Sequence, residues 1–169
     1  DNALARFIAG FYVFDTNTNV CPSLHVIGSM AAFFAFWYAP IFTKRDYYKS
    51  NMAMLDMDVQ DDLFPEERTV KTKAHDTPPA KNEVGSRVTN SRVSSGCRIY
   101  GNVSDSILGR DVIVEPGATV RSAIIMQGCV IKTGARVENA IVDRNNVVSA
   151  GTELRGTPED VLVKEKPSE

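Results

Sequence analysis

The sequence predicts a mainly β chain whose carboxyl-terminal half winds as a parallel β solenoid of triangular cross-section, on three observations. First, Val103, Leu108, Val114, Val120, Ile125, Ile131, Val137, Val142, Val148 and Leu154 are spaced 5, 6, 6, 5, 6, 6, 5, 6 and 6 apart, a 17-residue coil with three short sides. Second, three residues after the aliphatic that opens each six-residue side stand Gly96, Asp111, Gly117, Gly128, Gly134, Asn145 and Gly151. All are types that tolerate positive φ, as a tight corner requires. Third, no charged residue takes an inward position in this register. An antiparallel sandwich would instead show period-two alternation and irregular turn spacing.

The elements follow in order. VSDSILGRDVIVEPGAT, VRSAIIMQGCVIKTGAR and VENAIVDRNNVVSAGTE stack in register, and Val88, Val93 and Ile99 open a shortened first coil, so the solenoid is expected over residues 88–169. Residues 43–87 precede it. Within them Tyr48, Met52, Leu55, Val59 and Leu63 are spaced 4, 3, 4 and 4, which predicts one amphipathic helix over Asp46–Phe64, ended by Pro65 and docked on a neighbouring surface. Glu66–Arg87 contains Pro78-Pro79, lacks either period and reads as an extended connector.

Residues 1–42 form a third region, an apolar segment expected to be helical. They hold only three of the forty charged residues but ten of the fourteen aromatics. Val26–Phe42 runs seventeen positions without charge, at the lower limit for a helix crossing a bilayer about 30 Å thick. Membrane association is therefore expected through residues 26–42. Without a bilayer the segment would expose an apolar patch and cause aggregation or detergent dependence. The chain starts at Asp1 without a secretion-signal layout, which reads as an internal fragment.

Composition narrows the function classes. A formal charge of −2 gives no electrostatic reason to expect nucleic acid. Cys21, Cys97 and Cys129 are far apart and form no CxxC pair, so they predict buried reduced thiols rather than a disulfide framework or a zinc site. No cofactor or metal motif is present.

The one catalytic-looking cluster is Pro22-Ser23-Leu24-His25, where a serine at a helix start can offer its hydroxyl and N–H to a phosphate and a histidine can protonate a leaving oxygen. An N-cap serine beside a half-buried histidine explains the same residues. Asp15-Thr16-Asn17-Thr18-Asn19-Val20-Cys21-Pro22-Ser23-Leu24-His25-Val26 resembles the central motif of the phosphatidic-acid phosphatase type 2 superfamily, over about forty residues. The resemblance implies phosphate binding by Ser23 and general-acid catalysis by His25. The superfamily's upstream Lys…Arg-Pro and downstream Ser-Arg…His…Asp elements are missing, and His75 lies in unrelated surroundings. A truncated, catalytically incomplete phosphatase fragment is therefore expected, with no hydrolysis.

The hexapeptide pattern resembles the left-handed parallel β-helix, an exception to the right-handed crossover rule. Three further strings, Asp46–Asp56 (DYYKSNMAMLD), Lys73–Lys81 (KAHDTPPAK) and Ser122–Gly128 (SAIIMQG), are together similar to glucose-1-phosphate adenylyltransferase, its regulatory-subunit type above all, over residues 43–169. The resemblance implies a carboxyl-terminal regulatory and oligomerisation domain in ADP-glucose synthesis. It would be cytoplasmic, with a catalytic subunit or homologous subunits as partners and a phosphorylated metabolite as effector. The glycine-rich nucleotide loop and acidic metal ligands of the family's catalytic domain are not in these residues, so the chain alone is expected to be inactive. An acyltransferase reading needs a histidine on a coil, and none lies between Val88 and Leu154. For the effector the candidates are Lys73, Lys81, Arg121, Lys132 and Arg136, with Arg144 on a further coil. The competing reading is solvated cations balanced by Glu115, Glu138 and Asp143. Two unlike compositions meet at Phe42–Lys44 with no Gly/Ser linker, so the chain reads as a junction of two unrelated families.

Overall fold

The computed structural model describes residues 41–63 and 77–166. The chain divides into units Asp1–Pro40 and Ile41–Glu169, and all that follows concerns the second. The expectations for residues 1–40, with Ser23 and His25, and for Lys73 and His75 lie outside the described residues. Among the described residues no helix is long and apolar enough to cross a membrane.

The solenoid is a parallel β-helix of three five-stranded sheets, here called faces A, B and C. Face A stacks Lys81–Asn82, Arg98–Ile99, Ile113–Val114, Val130–Ile131 and Val147–Val148. Face B stacks Arg87–Thr89, Asn102–Ser104, Thr119–Arg121, Arg136–Glu138 and Glu153–Arg155. Face C stacks Arg92–Val93, Ile107–Leu108, Ile124–Ile125, Ala140–Val142 and Leu162–Lys164. Every pairing is parallel, as it must be when a strand bonds to its counterpart one coil on. The register advances 17 residues per coil, as from Lys81 to Arg98 and from Ile113 to Val130, except across one short coil, where the step is 15 from Arg87 to Asn102, from Arg92 to Ile107 and from Arg98 to Ile113. At the far end Ala140 pairs with Leu162, because residues 156–161 form an enlarged loop before the last strand of face C where Asn139 alone turns the corner one coil earlier.

The inward aliphatic column closes the core. Val103, Leu108, Val114, Val120, Ile125, Ile131, Val137, Val142 and Val148 are all buried, and Leu154 is half-buried at the last coil. Each fully buried aliphatic contributes about 1.5–3 kcal/mol, and stacking is the only way a two-residue strand can bury its side chain. Beside this column run small residues: Ala118 and Ala135 on one side, Ser106, Ala123 and Ala140 on another. Ser106 is fully buried and satisfied, its hydroxyl donating to Ser104 O at 2.6 Å and accepting from Ala123 N at 3.1 Å.

All seven corner residues named from the sequence have positive φ, Asp111 and Asn145 at 57° and 56°. Along one corner Gly96, Asp111, Gly128 and Asn145 alternate for a steric reason as well. A Cβ on Gly96 would run into the Asp111 carboxylate, and one on Gly128 into the Asn145 amide. The third corner also turns through positive φ, at Asn90, Asp105, Ser122 and Asn139. These follow the inward valines of the five-residue sides by two positions, a signal present in the sequence but not used above.

Two sequence expectations are corrected. The helix over Asp46–Phe64 is broken into α1 (Lys44–Ala53) and α2 (Met57–Leu63). Three successive i→i−3 bonds, from Met54, Leu55 and Asp56, tighten the end of α1, and Asp56 Oδ1 then accepts from Asp58 N at 3.0 Å as the cap of α2. The connector is also shorter than expected. Lys81–Asn82 pairs with Arg98–Ile99 as the outermost strand of face A, and Pro78 O accepts from Gly96 N at 2.7 Å.

Helix α1 starts at a capping box, with Thr43 Oγ1 accepting from Asp46 N and Asp46 Oδ2 accepting from Thr43 N, at 3.2 and 3.1 Å. It docks on face C. Tyr48 packs with Ile124, Ile141 and Val161, flanked by Tyr47, Met52 and Met126. The Tyr48 hydroxyl donates to Ser122 O at 2.7 Å, and burial pushes its pKa above the usual phenol value. The inserted loop grips the helix at its N-terminal end as well. Lys44 pairs with Asp160 at 2.8 Å and Arg45 pairs with Glu159.

Candidate functional site

With face C occupied by α1, the described candidate effector residues Lys81, Arg121, Lys132 and Arg136 fall on the other two faces. In face B the outward side chains form two columns, Arg87, Asn102, Thr119, Arg136, Glu153 and Thr89, Ser104, Arg121, Glu138, Arg155. This alternation follows from strand geometry: the middle residue of each three-residue strand points inward and its neighbours point out. The lower part of the face holds a shallow groove of about 270 Å³ lined by Arg121, Arg136, Glu138, Glu153 and Arg155.

The groove carries three guanidinium groups against two carboxylates. Arg155 donates to Glu138 at 2.8–2.9 Å through Nη2 and Nε, while Arg136 lies 3.6 Å from Glu153. Arg121 has no ion-pair partner among the described residues. The sequence therefore placed two residues of the groove, Arg121 and Arg136. It missed Arg155, which the register sets two coils beyond Arg121 in the same column.

The remaining candidates are elsewhere. Lys81 and Lys132 belong to face A, each in its own ion pair, with Glu83 at 2.7 Å and with Glu115 at 2.9 Å. The hydrogen bond that the Lys81 ammonium donates to the Glu83 carboxylate raises the Lys81 pKa. The Lys132 ammonium, then the Thr133 N–H and hydroxyl, hold the Glu115 carboxyl below its usual range. Arg144 sits 3.9 Å from Asp143. The four described candidates thus do not converge on one point; Glu115 stands beside Lys132 of the next coil and Asp143 beside Arg144 of its own.

Cys97 and Cys129 are buried and reduced in form, with Sγ donating to Gly109 O and Asp143 O at 3.0 Å, and burial pushes both thiols up. They are packing residues, not nucleophiles. Among the described residues no group of three His, Cys, Asp or Glu gathers around a possible metal position.

The comparisons with known proteins bear on this solenoid. Residues 77–160 match the family described as GlmU-like, C-terminal hexapeptide. The chain is 39% identical over 71 residues to the glycogen biosynthesis protein GlgD of Geobacillus stearothermophilus, covering 42% of this chain and 21% of that protein. It is 34% identical over 119 residues to the glucose-1-phosphate adenylyltransferase of Corynebacterium jeikeium, covering 69% of this chain and 28% of that protein. With that of Fervidobacterium nodosum the values are 26% over 113 residues, 66% and 27%. The chain therefore spans about a fifth to a quarter of the length of these relatives. Residues 77–160 lie outside residues 1–42, so this match does not bear on the phosphatase-like motif. The β-helix of this chain is a hexapeptide-repeat segment similar to part of the glucose-1-phosphate adenylyltransferases.

Proposed function

We propose that the β-helix with its docked helix serves as the regulatory and assembly domain of a glucose-1-phosphate adenylyltransferase-like protein of glycogen biosynthesis. The observation that carries this reading is the likeness over 119 residues, more than the matched 77–160 solenoid, to proteins bearing that name. The chemistry of the solenoid agrees with a binding role. The described coils hold buried aliphatics, turn residues and surface ion pairs rather than a nucleophile and a base in contact.

The regulatory part of the proposal assigns the phosphorylated-metabolite contact to the face B groove. There Arg121 lacks an ion pair among the described residues, and Arg136 holds its own at 3.6 Å. Guanidinium groups suit this task because their forked donors match phosphate oxygens.

Two experiments test the reading. The chain is mixed with a glucose-1-phosphate adenylyltransferase from which the hexapeptide segment has been removed. Co-purification and restored ADP-glucose formation are expected, and neither appearing would overturn the assembly role. Separately, millimolar glucose 6-phosphate is expected to raise the melting temperature of the chain, and Arg121→Ala with Arg136→Ala to abolish the rise. An unchanged melting temperature would remove the effector role while leaving assembly standing.

A further inference from the structure

Face B and face C meet at a corner that touches both the groove and α1. The last three strands of face B end on the groove residues Arg121, Glu138 and Arg155. Arg121 is followed at once by Ser122 and Glu138 by Asn139, both with positive φ, and Arg155 by Gly156, which opens the loop over residues 156–161. Backbone bonds tie the same residues across coils. Asn139 N donates to Arg121 O at 3.3 Å, and Gly156 N donates to Glu138 O at 2.9 Å. The corner is therefore the support on which this column of the groove stands.

Helix α1 holds that support at two places. The Tyr48 hydroxyl donates to Ser122 O, one residue from Arg121. Lys44 and Arg45 pair with Asp160 and Glu159 in the loop that starts one residue after Arg155. The loop has no slack. Thr157 N donates to Asp160 O and Asp160 N to Thr157 Oγ1, both at 3.0 Å, and a Cβ on Gly156 would lie 2.3 Å from Asn139 O and 2.6 Å from Leu162 N. A shift at Glu159 or Asp160 is thus passed to Gly156 rather than absorbed. Ser122 adds a second reason. Asn90, Asp105 and Asn139 turn the same corner with residue types that enter the left-handed region readily, whereas Ser122, at φ 45°, relies more on the bonds around it.

The solenoid keeps its register without a cover of this kind. On face A the outward column Ile113, Val130 and Val147 has no covering element among the described residues, and Val147 is 52% exposed. Release of α1 from face C is therefore a local event, and the docked and released helix are two states of one folded solenoid.

We propose that α1 is a positioning element for the face B groove, so that docking of the helix and binding of an anion in the groove strengthen one another. The inference rests on the effector role proposed above and names how that site is regulated. With α1 docked, the backbone beneath Arg121 and Arg155 is fixed before the anion arrives, and only their side chains remain to be ordered. With α1 released, the anion must also order Ser122 and residues 156–161, so it binds more weakly. Linkage makes the effect reciprocal, and the anion tightens the hold on α1 by the same factor. None of the residues lining the groove belongs to α1, so the helix acts through the corner and not by touching the anion.

Calorimetric titration of the full chain with glucose 6-phosphate, paired with amide hydrogen exchange of Lys44–Ala53, tests the proposal. Thermal melting of each variant serves as the folding control. In the parent, saturation is expected to slow exchange of α1 by about fivefold. Tyr48→Phe keeps the ring and removes the bond to Ser122 O, and Lys44→Asp turns the pair with Asp160 into a repulsion; each is expected to weaken binding by about twofold or more. Lys44→Asp combined with Asp160→Lys is expected to restore it, and Val147→Asp on face A to leave it unchanged. Equal affinity in the parent and in every α1 variant overturns the coupling and leaves the groove as the effector site, as does tighter binding after release or α1 exchange that ignores the sugar phosphate. A parent that does not bind glucose 6-phosphate at all removes the effector role and this inference with it.

Discussion

Face C and face A are built alike and end differently. Both carry an outward aliphatic column on a sheet whose inner side chains close the same core. On face C, α1 reduces the exposure of Ile124 and Ile141 to 4%, while Val147 on face A keeps 52%. The solenoid needs only its inward residues to fold, so outward aliphatics report what lies over a face. Face B, with arginine, glutamate, asparagine and threonine outside, shows the pattern of a face meant for water or ions.

The sharpest way to break this comparison is one substitution made on each face. Ile141→Asp puts a charge beneath α1 and is expected to cost about 3 kcal/mol or more, by unfolding or by releasing the helix. Val147→Asp is expected to stay within about 0.5 kcal/mol in the same denaturant titration. Next comes the helix itself. Tyr48→Ala removes a ring that is 7% exposed together with its bond to Ser122 O, for a loss of about 3 kcal/mol. Tyr48→Phe keeps the ring and is expected to lose about 1 kcal/mol. Thr43→Ala breaks the capping box and is expected to cost about 1 kcal/mol, read as reduced helicity and easier release of α1.

The smallest effect is set by pH. Thr43 holds the Asp46 carboxyl below its usual range, and Lys44 does the same for Asp160. Because both folded values are depressed, their contribution is complete above the ordinary aspartate range and disappears as the pH falls through the lowered values. The hold of α1 on face C is therefore expected to weaken slightly in acid while the solenoid persists, seen as a loss of Tyr48 protection before the main melt.

Much of the solenoid was legible because its rule is covalent in reach. One aliphatic every five or six residues and a Gly, Asn or Asp three positions on repeat often enough to be counted. The break between α1 and α2 was not legible from the same kind of count. Met52, Leu55 and Val59 keep a helical spacing through the break, which is decided by local bonds at Met54–Asp56 and by the Asp56 side chain. The groove on face B was half legible. Arg121 and Arg136 stood out as cations, but Arg155 joins them only through inter-coil register, and Lys81 and Lys132 were assigned to the same role although they occupy another face. The insertion over residues 156–161 hid the last strand of face C, since Leu162 falls outside the 17-residue period.

The central claim is that α1 makes face C different from face A. Hydroxyl-radical footprinting of the full chain, beside Tyr48→Ala, tests it residue by residue. The expected result is that Ile124 and Ile141 resist labelling in the parent and gain it in the variant, while Val147 is labelled in both. Labelling of Ile124 and Ile141 in the parent as strongly as Val147 would contradict the account.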